Sequence, residues 1–188
     1  MKVLALNGSP RKDGNTAKLL KKITEDHQDV DLKYYDLVDL RIKDCTSCFY
    51  CKQHEACAIK DDMTKIYRDI KEADAIVLGS PLYMGAETAL LKAVVDRTFA
   101  LVAFGDQPRQ FVPRLSPGKK GVAVFTCGNP RGDEAYPYMK DRYYGYFAFA
   151  GIMKVKVEMV GGLARTSNVL ESVKAQEIIP ELKRFIGD

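Results

Sequence analysis

Residues 6–16 of this chain read LNGSPRKDGNT, between a short apolar run (residues 3–6) and a helical pattern that begins at Thr16. A strand that ends in small polar residues and restarts as a helix presents loop N–H groups and a helix N-terminus to one point. That arrangement seats an anion. Ser9, Asn15 and Thr16 add side-chain donors and Arg11 adds positive charge. The reading is a phosphate seat, and a well-capped βα turn is the plainer alternative. The loop is neither G-x-G-x-x-G nor G-x-x-x-x-G-K-[ST], so neither a dinucleotide fold nor a P-loop NTPase is indicated.

Strands and helices alternate along the rest of the chain. Residues 2–6 form the first strand, and a helix over about 16–27 carries Leu19, Leu20 and Ile23 on one face. Residues 31–37 read as strand two, with Leu32, Tyr34 and Asp36 alternating against Lys33 and Tyr35. A helix over about 62–73 aligns Met63, Ile66 and Ile70, and residues 75–78 are a continuous apolar run, as in a strand covered on both faces. After a loop at 79–85, GSPLYMG, come a helix at about 87–102 and a long loop at 104–119 with three prolines. Residues 121–125 and 155–160 are the last two strands, with helices at about 134–150 and 170–186. Pro180 is expected to kink or break the final helix.

This alternation predicts a doubly wound α/β fold with five parallel strands. At 188 residues and 46% hydrophobic, the chain suits one domain spanning 1–188, with a cysteine-rich insertion at about 43–60. Ligands of such sheets bind beyond the carboxyl ends of the strands, at the topological switch point. In flavodoxin-like folds, of strand order 2-1-3-4-5, that ligand is flavin mononucleotide (FMN). Three loops leave strand ends with unusual chemistry. The first seats a phosphate. The second, Pro81, Leu82, Tyr83, Met84 and Gly85, offers an apolar, aromatic wall to a flat ring. The third, with Thr126, Cys127 and Gly128, brings backbone to the other side. Core packing is the alternative for Leu82, Tyr83 and Met84. A phosphate seat with two ring-binding loops describes FMN better than a nicotinamide dinucleotide.

LNGSPRKDGNT and GSPLYMGAETALLKAVVDR, with cysteines between them, resemble the NAD(P)H-dependent FMN reductase group of flavodoxin-like proteins. Within that group the pattern is most similar to the iron–sulfur flavoproteins of anaerobes. The resemblance covers roughly the first 130 residues and is weaker in the third loop, TCGNP here where many relatives carry a glycine pair. It implies non-covalent FMN, reduced by NAD(P)H or another donor, and a homodimer or homotetramer with flavins near subunit interfaces. Electrons would pass to a quinone, a nitro or azo compound, free flavin or an iron–sulfur centre. The alternative is an electron carrier reduced by a ferredoxin-like partner, with little nicotinamide activity.

Four of the five cysteines, Cys45, Cys48, Cys51 and Cys57, are spaced x2, x2 and x5. Clustered cysteines in a reducing compartment point to metal or redox chemistry before disulfides. A [4Fe–4S] cube takes four thiolates, and compact runs with two-residue gaps serve it in ferredoxins. Zinc usually takes two separated pairs. A cluster, zinc and empty reduced thiols all stay open, and the iron–sulfur flavoproteins resembled here use the same gaps. His54 reads as a solvated loop residue. Cys127 stands alone, either redox-active beside the flavin or a small residue in a tight loop.

Net charge is +4, from 29 basic and 25 acidic residues scattered along the chain, so nucleic acid is not an expected partner. No run is long enough to span a membrane, and no signal peptide precedes the first strand. The expected location is the cytoplasm. No acid–base dyad and no Ser-His-Asp set occurs, and no catalytic side chain is assigned. That fits a flavoenzyme, whose cofactor performs the chemistry. Asp62 reads as a helix cap. In the aromatic stretch 136–149, Met139, Tyr143, Phe147 and Ala150 share the core face. Tyr138, Tyr144, Tyr146 and Phe149 are left for a subunit contact or for burial under the 104–119 loop.

Overall fold

A computed structural model describes residues 1–25, 29–107 and 110–188. β1 (Lys2–Asn7) leads into α1 (Asn15–Thr24), and β2 (Asp31–Asp36) follows. The expected helix end at residue 27, like Pro108 of the long loop, lies outside the described residues. α2 (Tyr50–Gln53) is a single turn within the cysteine segment, and α3 (Met63–Glu72) leads to β3 (Ala75–Tyr83). β4 (Ala86–Glu87) folds back on β3, and α4 (Ala89–Arg97) continues into a 3₁₀ turn, Thr98–Leu101. Then come β5 (Val102–Phe104), β6 (Phe111–Pro113), β7 (Lys120–Thr126), α5 (Pro137–Phe149), β8 (Lys154–Val160) and α6 (Val173–Gly187).

The main sheet has the order β2-β1-β3-β7-β8, every pair parallel. This is the flavodoxin-like order 2-1-3-4-5, with the switch point between β1 and β3. Side chains along β1 alternate between two cores. Val3 and Ala5 pack with Leu19, Leu20 and Ile23 of α1 and Ile178 and Leu182 of α6. Leu4 and Leu6 pack on the other face with Ile66, Ile70, Val94, Tyr143 and Phe147 of α3, α4 and α5. Strands covered on both faces read as apolar runs, which is why β1, β3 and β7 stand out in the sequence. β2 is an edge strand, and Leu32 is exposed rather than inward.

Several boundaries differ from expectation. β3 does not stop at Leu78. It pairs with β7 as far as Pro81↔Thr126, and then with β4 through Leu82↔Glu87 and Tyr83↔Ala86. Pro81 reads as a breaker, but its fixed φ suits extended backbone. The second loop is thus a two-residue hairpin whose central residues, Met84 (φ 50°) and Gly85 (φ 80°), both have positive φ, as a type I′ turn requires. Phe104 and Phe111–Pro113 of the predicted 104–119 loop belong to an antiparallel ribbon, β5 with β6. α6 runs unbroken through Pro180, because Ala175, Ile178, Leu182 and Ile186 bury its inner face. Among the described residues no helix is long and apolar enough to cross a membrane.

Candidate functional site

The carboxyl ends of β1, β3 and β7 bring the three predicted loops together. α1 starts with Gly14 at its N-cap, no side-chain cap and no acidic residue in its first turn. The N–H groups of Asn15, Thr16 and Ala17 precede the first intrahelical acceptor and have no partner within the helix. Asn15 and Thr16 are buried at this end, and the exposed Arg11 stands beside it. The Asn15 Oδ1 accepts from Val169 N–H at 3.1 Å, which leaves its Nδ2 as the donor. The Thr16 and Thr126 hydroxyls are 2.6 Å apart and buried, joining the first loop to the third. If Thr126 donates to Thr16, the Thr16 proton is free for an anion.

The first loop is shaped from within. The Asn7 Nδ2 donates to Asp36 at 2.7 Å, while its Oδ1 accepts from Ser9 N–H at 3.0 Å. The Ser9 Oγ takes the Arg11 N–H at 3.1 Å. A latch ties this loop to the second. Gly8 N–H donates to the Gly79 carbonyl at 2.7 Å, and the Thr88 hydroxyl donates to the Gly8 carbonyl at 2.6 Å. Thr88 N–H in turn donates to the Ser80 Oγ at 3.0 Å. A Cβ at position 8 would lie 2.8 Å from the Leu91 Cβ and 3.0 Å from the Gly79 oxygen, so only glycine permits this approach.

Of the second loop, Pro81 is buried and Leu82 packs at the edge of the core, as the alternative reading had it for Leu82. Tyr83 is 49% exposed and Met84 fully exposed. A bulky residue held at positive φ with its side chain in solvent is a strained, outward-facing tip, the kind of feature that clusters at ligand sites. The Tyr138 hydroxyl of α5 donates to the Gly85 carbonyl at 2.6 Å, and Arg142 reaches the buried Glu87 of β4 at 2.7 Å. Both hold the hairpin from outside.

In the third loop Thr126 is buried and Gly128 exposed, where a Cβ would lie 3.8 Å from the Leu163 carbonyl oxygen. Cys127 is used structurally. Its N–H donates to Val160 and its carbonyl accepts from Leu163, both at 3.0 Å. Its side chain packs in the core, and burial pushes the thiol pKa up.

All four clustered cysteines line one small pocket with Phe99 and Arg97. Cys45 and Cys48 are exposed, Cys51 and Cys57 half-buried. Ser47 and Phe49 take positive φ (53° and 58°), which turns the chain sharply on both sides of Cys48. Three cations fasten this segment to its neighbours through backbone carbonyls. Arg97 donates to Lys43 and Ile59, and Arg114 donates to Cys51 at 2.8 Å and Ala100 at 2.9 Å. Lys52 donates to the carbonyls of Phe99 and Val102, over the Phe99 ring. Burial pushes the Cys51 thiol up and the Lys52 ammonium down. Among the described residues no group of three or more His, Cys, Asp or Glu side chains is arranged to hold a single metal ion.

Sequence reasoning gave no role to Arg97, nor to Asn7 and Thr88 within their motifs, and read Tyr138 as a subunit contact or a buried aromatic, whereas it bonds the Gly85 carbonyl. Asp62 stands at the α3 N-cap position, but its carboxylate accepts from Arg41 N–H. It is Asp61 that takes the Met63 N–H, at 3.0 Å. Phe149 packs against Phe111 of the ribbon, at a 5.1 Å ring separation, but both rings remain exposed, so it is not buried as the second reading expected. Tyr144 is exposed. His54 is exposed and stacks on Tyr50.

The family model described as NADPH-dependent FMN reductase matches residues 1–140. The chain belongs to the NADPH-dependent FMN reductase family. Relatives include an iron–sulfur flavoprotein of Archaeoglobus fulgidus, 38% identical over 182 residues, which are 93% of this chain and 88% of the relative. An iron–sulfur flavoprotein of Methanocaldococcus jannaschii is 38% identical over 100 residues, 52% of each, so the chain spans about half of that relative. Among solved structures, an FMN-dependent NADH-azoreductase from Bacillus anthracis in complex with FMN superposes with a TM-score of 0.71 over the whole of both chains, at 16% identity. An NAD(P)H:quinone oxidoreductase from Methanothermobacter marburgensis gives 0.70 at 16% identity, covering 100% of this chain and 96% of its own. These neighbours share the fold. Membership in the FMN reductase family supports an FMN-dependent oxidoreductase.

Proposed function

We propose that the protein is an NAD(P)H-oxidising flavoenzyme whose FMN seat is formed by the three loops at the carboxyl ends of β1, β3 and β7. The observation that carries this is the uncapped N-terminus of α1, latched through Gly8, Gly79 and Thr88 to the exposed hairpin of Tyr83 and Met84. Three orphan N–H groups, Ser9, Arg11, the Asn15 amide and the Thr16 hydroxyl suit a phosphate dianion. Pro81, Leu82, Tyr83, Met84 and Gly85 supply one wall for the ring, and Thr126 and Gly128 the opposite edge. Cys127 then serves as the wall's backing from the core. FMN supplies the hydride and one-electron chemistry when bound. The residues orient it, exclude water from one face and offer backbone donors at its polar edge. The acceptor is a quinone, a nitro or azo compound, free flavin or an iron–sulfur centre, and the active form is a homodimer or homotetramer in the cytoplasm.

Cys45, Cys48, Cys51 and Cys57 would hold a [4Fe–4S] cluster. All four residues line one small pocket, and their compact run with two-residue gaps suits a cube better than zinc, which usually takes two separated pairs. The cations Lys52 and Arg114, bonded to carbonyls and not to a carboxylate, favour a negatively charged occupant. This favours the second reading, an electron carrier that takes electrons from a ferredoxin-like partner and ignores nicotinamides.

The test is steady-state oxidation of NADH and NADPH by FMN-loaded protein with a panel of quinones, nitro and azo compounds. Turnover above that of free FMN supports the enzyme. No turnover with either nicotinamide, but flavin reduction by reduced ferredoxin, supports the carrier.

A further inference from the structure

We propose that the groove between α3 and the Thr98–Leu101 turn is a binding site for a small aromatic anion. It goes beyond the flavin reading and does not depend on it. The cavity is about 440 Å³, within the range of small-molecule sites. Thr64, Tyr67, Arg68 and Lys71 line it from one face of α3, at the spacing that puts side chains in a row. Ala100 and Leu101 form the facing apolar wall, and Ala56 and Cys57 border it from the cysteine segment.

The charges decide the ligand class. Lys60, Arg68 and Lys71 face the groove, against Glu55 and Glu72. Glu72 is already paired with Lys2 at 3.2 Å and Lys33 at 3.7 Å, and Arg68 with the buried Asp69 at 3.3 Å, all three partners outside this set, which leaves Lys60 and Lys71 against Glu55. Among the described residues Lys71 has no carboxylate at ion-pair distance. A positive excess beside a tyrosine ring and two apolar side chains calls for an anionic group on a flat apolar body.

The Glu72 end of the groove lies far from the flavin loops. Glu72 and its partner Lys2 mark the amino end of β1, and the six residues of β1 put roughly 20 Å between that end and the phosphate seat. Cys57 lines both this groove and the pocket of the four thiols. An aromatic anion in the groove therefore lies against one of the cluster thiols.

The test is calorimetric titration of the full chain, as purified, with anthraquinone-2-sulfonate and with the uncharged 2-(hydroxymethyl)anthraquinone. The sulfonate is expected to bind at least about tenfold more tightly. Arg68→Ala combined with Lys71→Ala is expected to weaken the sulfonate by about tenfold or more and leave the uncharged compound unchanged. Ala56→Trp, at the exposed rim, is expected to weaken both. Equal affinity for the two compounds, or sulfonate binding unaltered in both variants, overturns the proposal. FMN content is measured on the same samples. Loss of flavin with intact sulfonate binding counts against the flavin seat and not against the groove.

Discussion

Arg97 at the end of α4 grips Asp61 with both guanidinium nitrogens, at 2.8 and 3.1 Å, and both side chains are buried. The same guanidinium donates to the carbonyls of Lys43 and Ile59, the two ends of the cysteine segment. One buried cation thus closes the base of the loop that carries all four thiols. Burial alone would lower the Arg97 pKa, but the bond to Asp61 more than reverses this, so the charge stays.

Asp61→Ala leaves that charge buried without its carboxylate. Loss of one partner of a buried pair costs about 3–5 kcal/mol. Urea unfolding should show that loss, and proteolysis should shift to residues 43–60. Replacing both partners with apolar residues should recover much of the stability. A double variant no better than the single one would mean that Arg97 acts through the Lys43 and Ile59 carbonyls alone.

Acid should loosen the same region. Desolvation raises the Asp61 carboxyl, but the bonds from Arg97, Lys43 N–H and Met63 N–H prevail and hold it below the ordinary carboxylate value. Asp69, bonded to Lys33 and Tyr35, is likewise lowered against its desolvation. A depressed folded pKa contributes stability that is fully present above the unfolded value, about 3.9, and is lost as pH falls through the folded one. Urea midpoints should therefore be level in these contributions from pH 7 to about 5, then fall below about pH 4. Asp61→Ala should show a shallower fall.

Gly8→Ala tests the latch between the first two loops. The added methyl would meet the Leu91 Cβ at 2.8 Å and the Gly79 carbonyl that Gly8 N–H bonds. Overpacking of this kind costs about 1–3 kcal/mol. Flavin retention through gel filtration should fall as the loops separate. Full retention with unchanged stability would show that the two loops do not depend on this contact.

The fold was legible because β1, β3 and β7 are buried on both faces and read as apolar runs, and because α1, α3 and α6 keep helical periodicity. The hairpin at Met84 and Gly85 was hidden because Pro81 looks like the end of a strand, whereas extended pairing tolerates it at that position. The loop proposed here as a phosphate seat could be read from one contiguous stretch. Arg97 and Tyr138 could not, since each acts on a segment more than 35 positions away in the chain (Asp61 and Gly85), and only the packing of α4 and α5 brings them there. The role of Asp62 was misplaced by one residue, because the choice between Asp61 and Asp62 depends on where the Arg41 backbone lies.

Thr16→Val should separate FMN from riboflavin. It removes the hydroxyl proposed to meet the phosphate and leaves the buried Thr126 hydroxyl without that partner. A hydrogen bond to a charged group contributes about 1.5–3 kcal/mol, so FMN affinity by flavin fluorescence should fall roughly 10- to 100-fold. Riboflavin, lacking the phosphate, should be affected far less. Equal losses for both flavins would place the phosphate elsewhere.

The occupant of the cysteine pocket can be read directly. Protein purified without oxygen should show flavin bands over broad absorbance near about 400 nm and about four irons per chain, if the pocket holds a [4Fe–4S] centre. Cys48→Ser is the most useful variant, because Cys48 is exposed and Ser47 and Phe49 turn the backbone on both sides of it. Iron should fall sharply while FMN content stays near that of the unmodified protein. About one zinc per chain and no iron would replace the cluster with a structural ion. Four titratable thiols with neither metal would leave the carrier reading without its second redox centre and the flavin as the sole one.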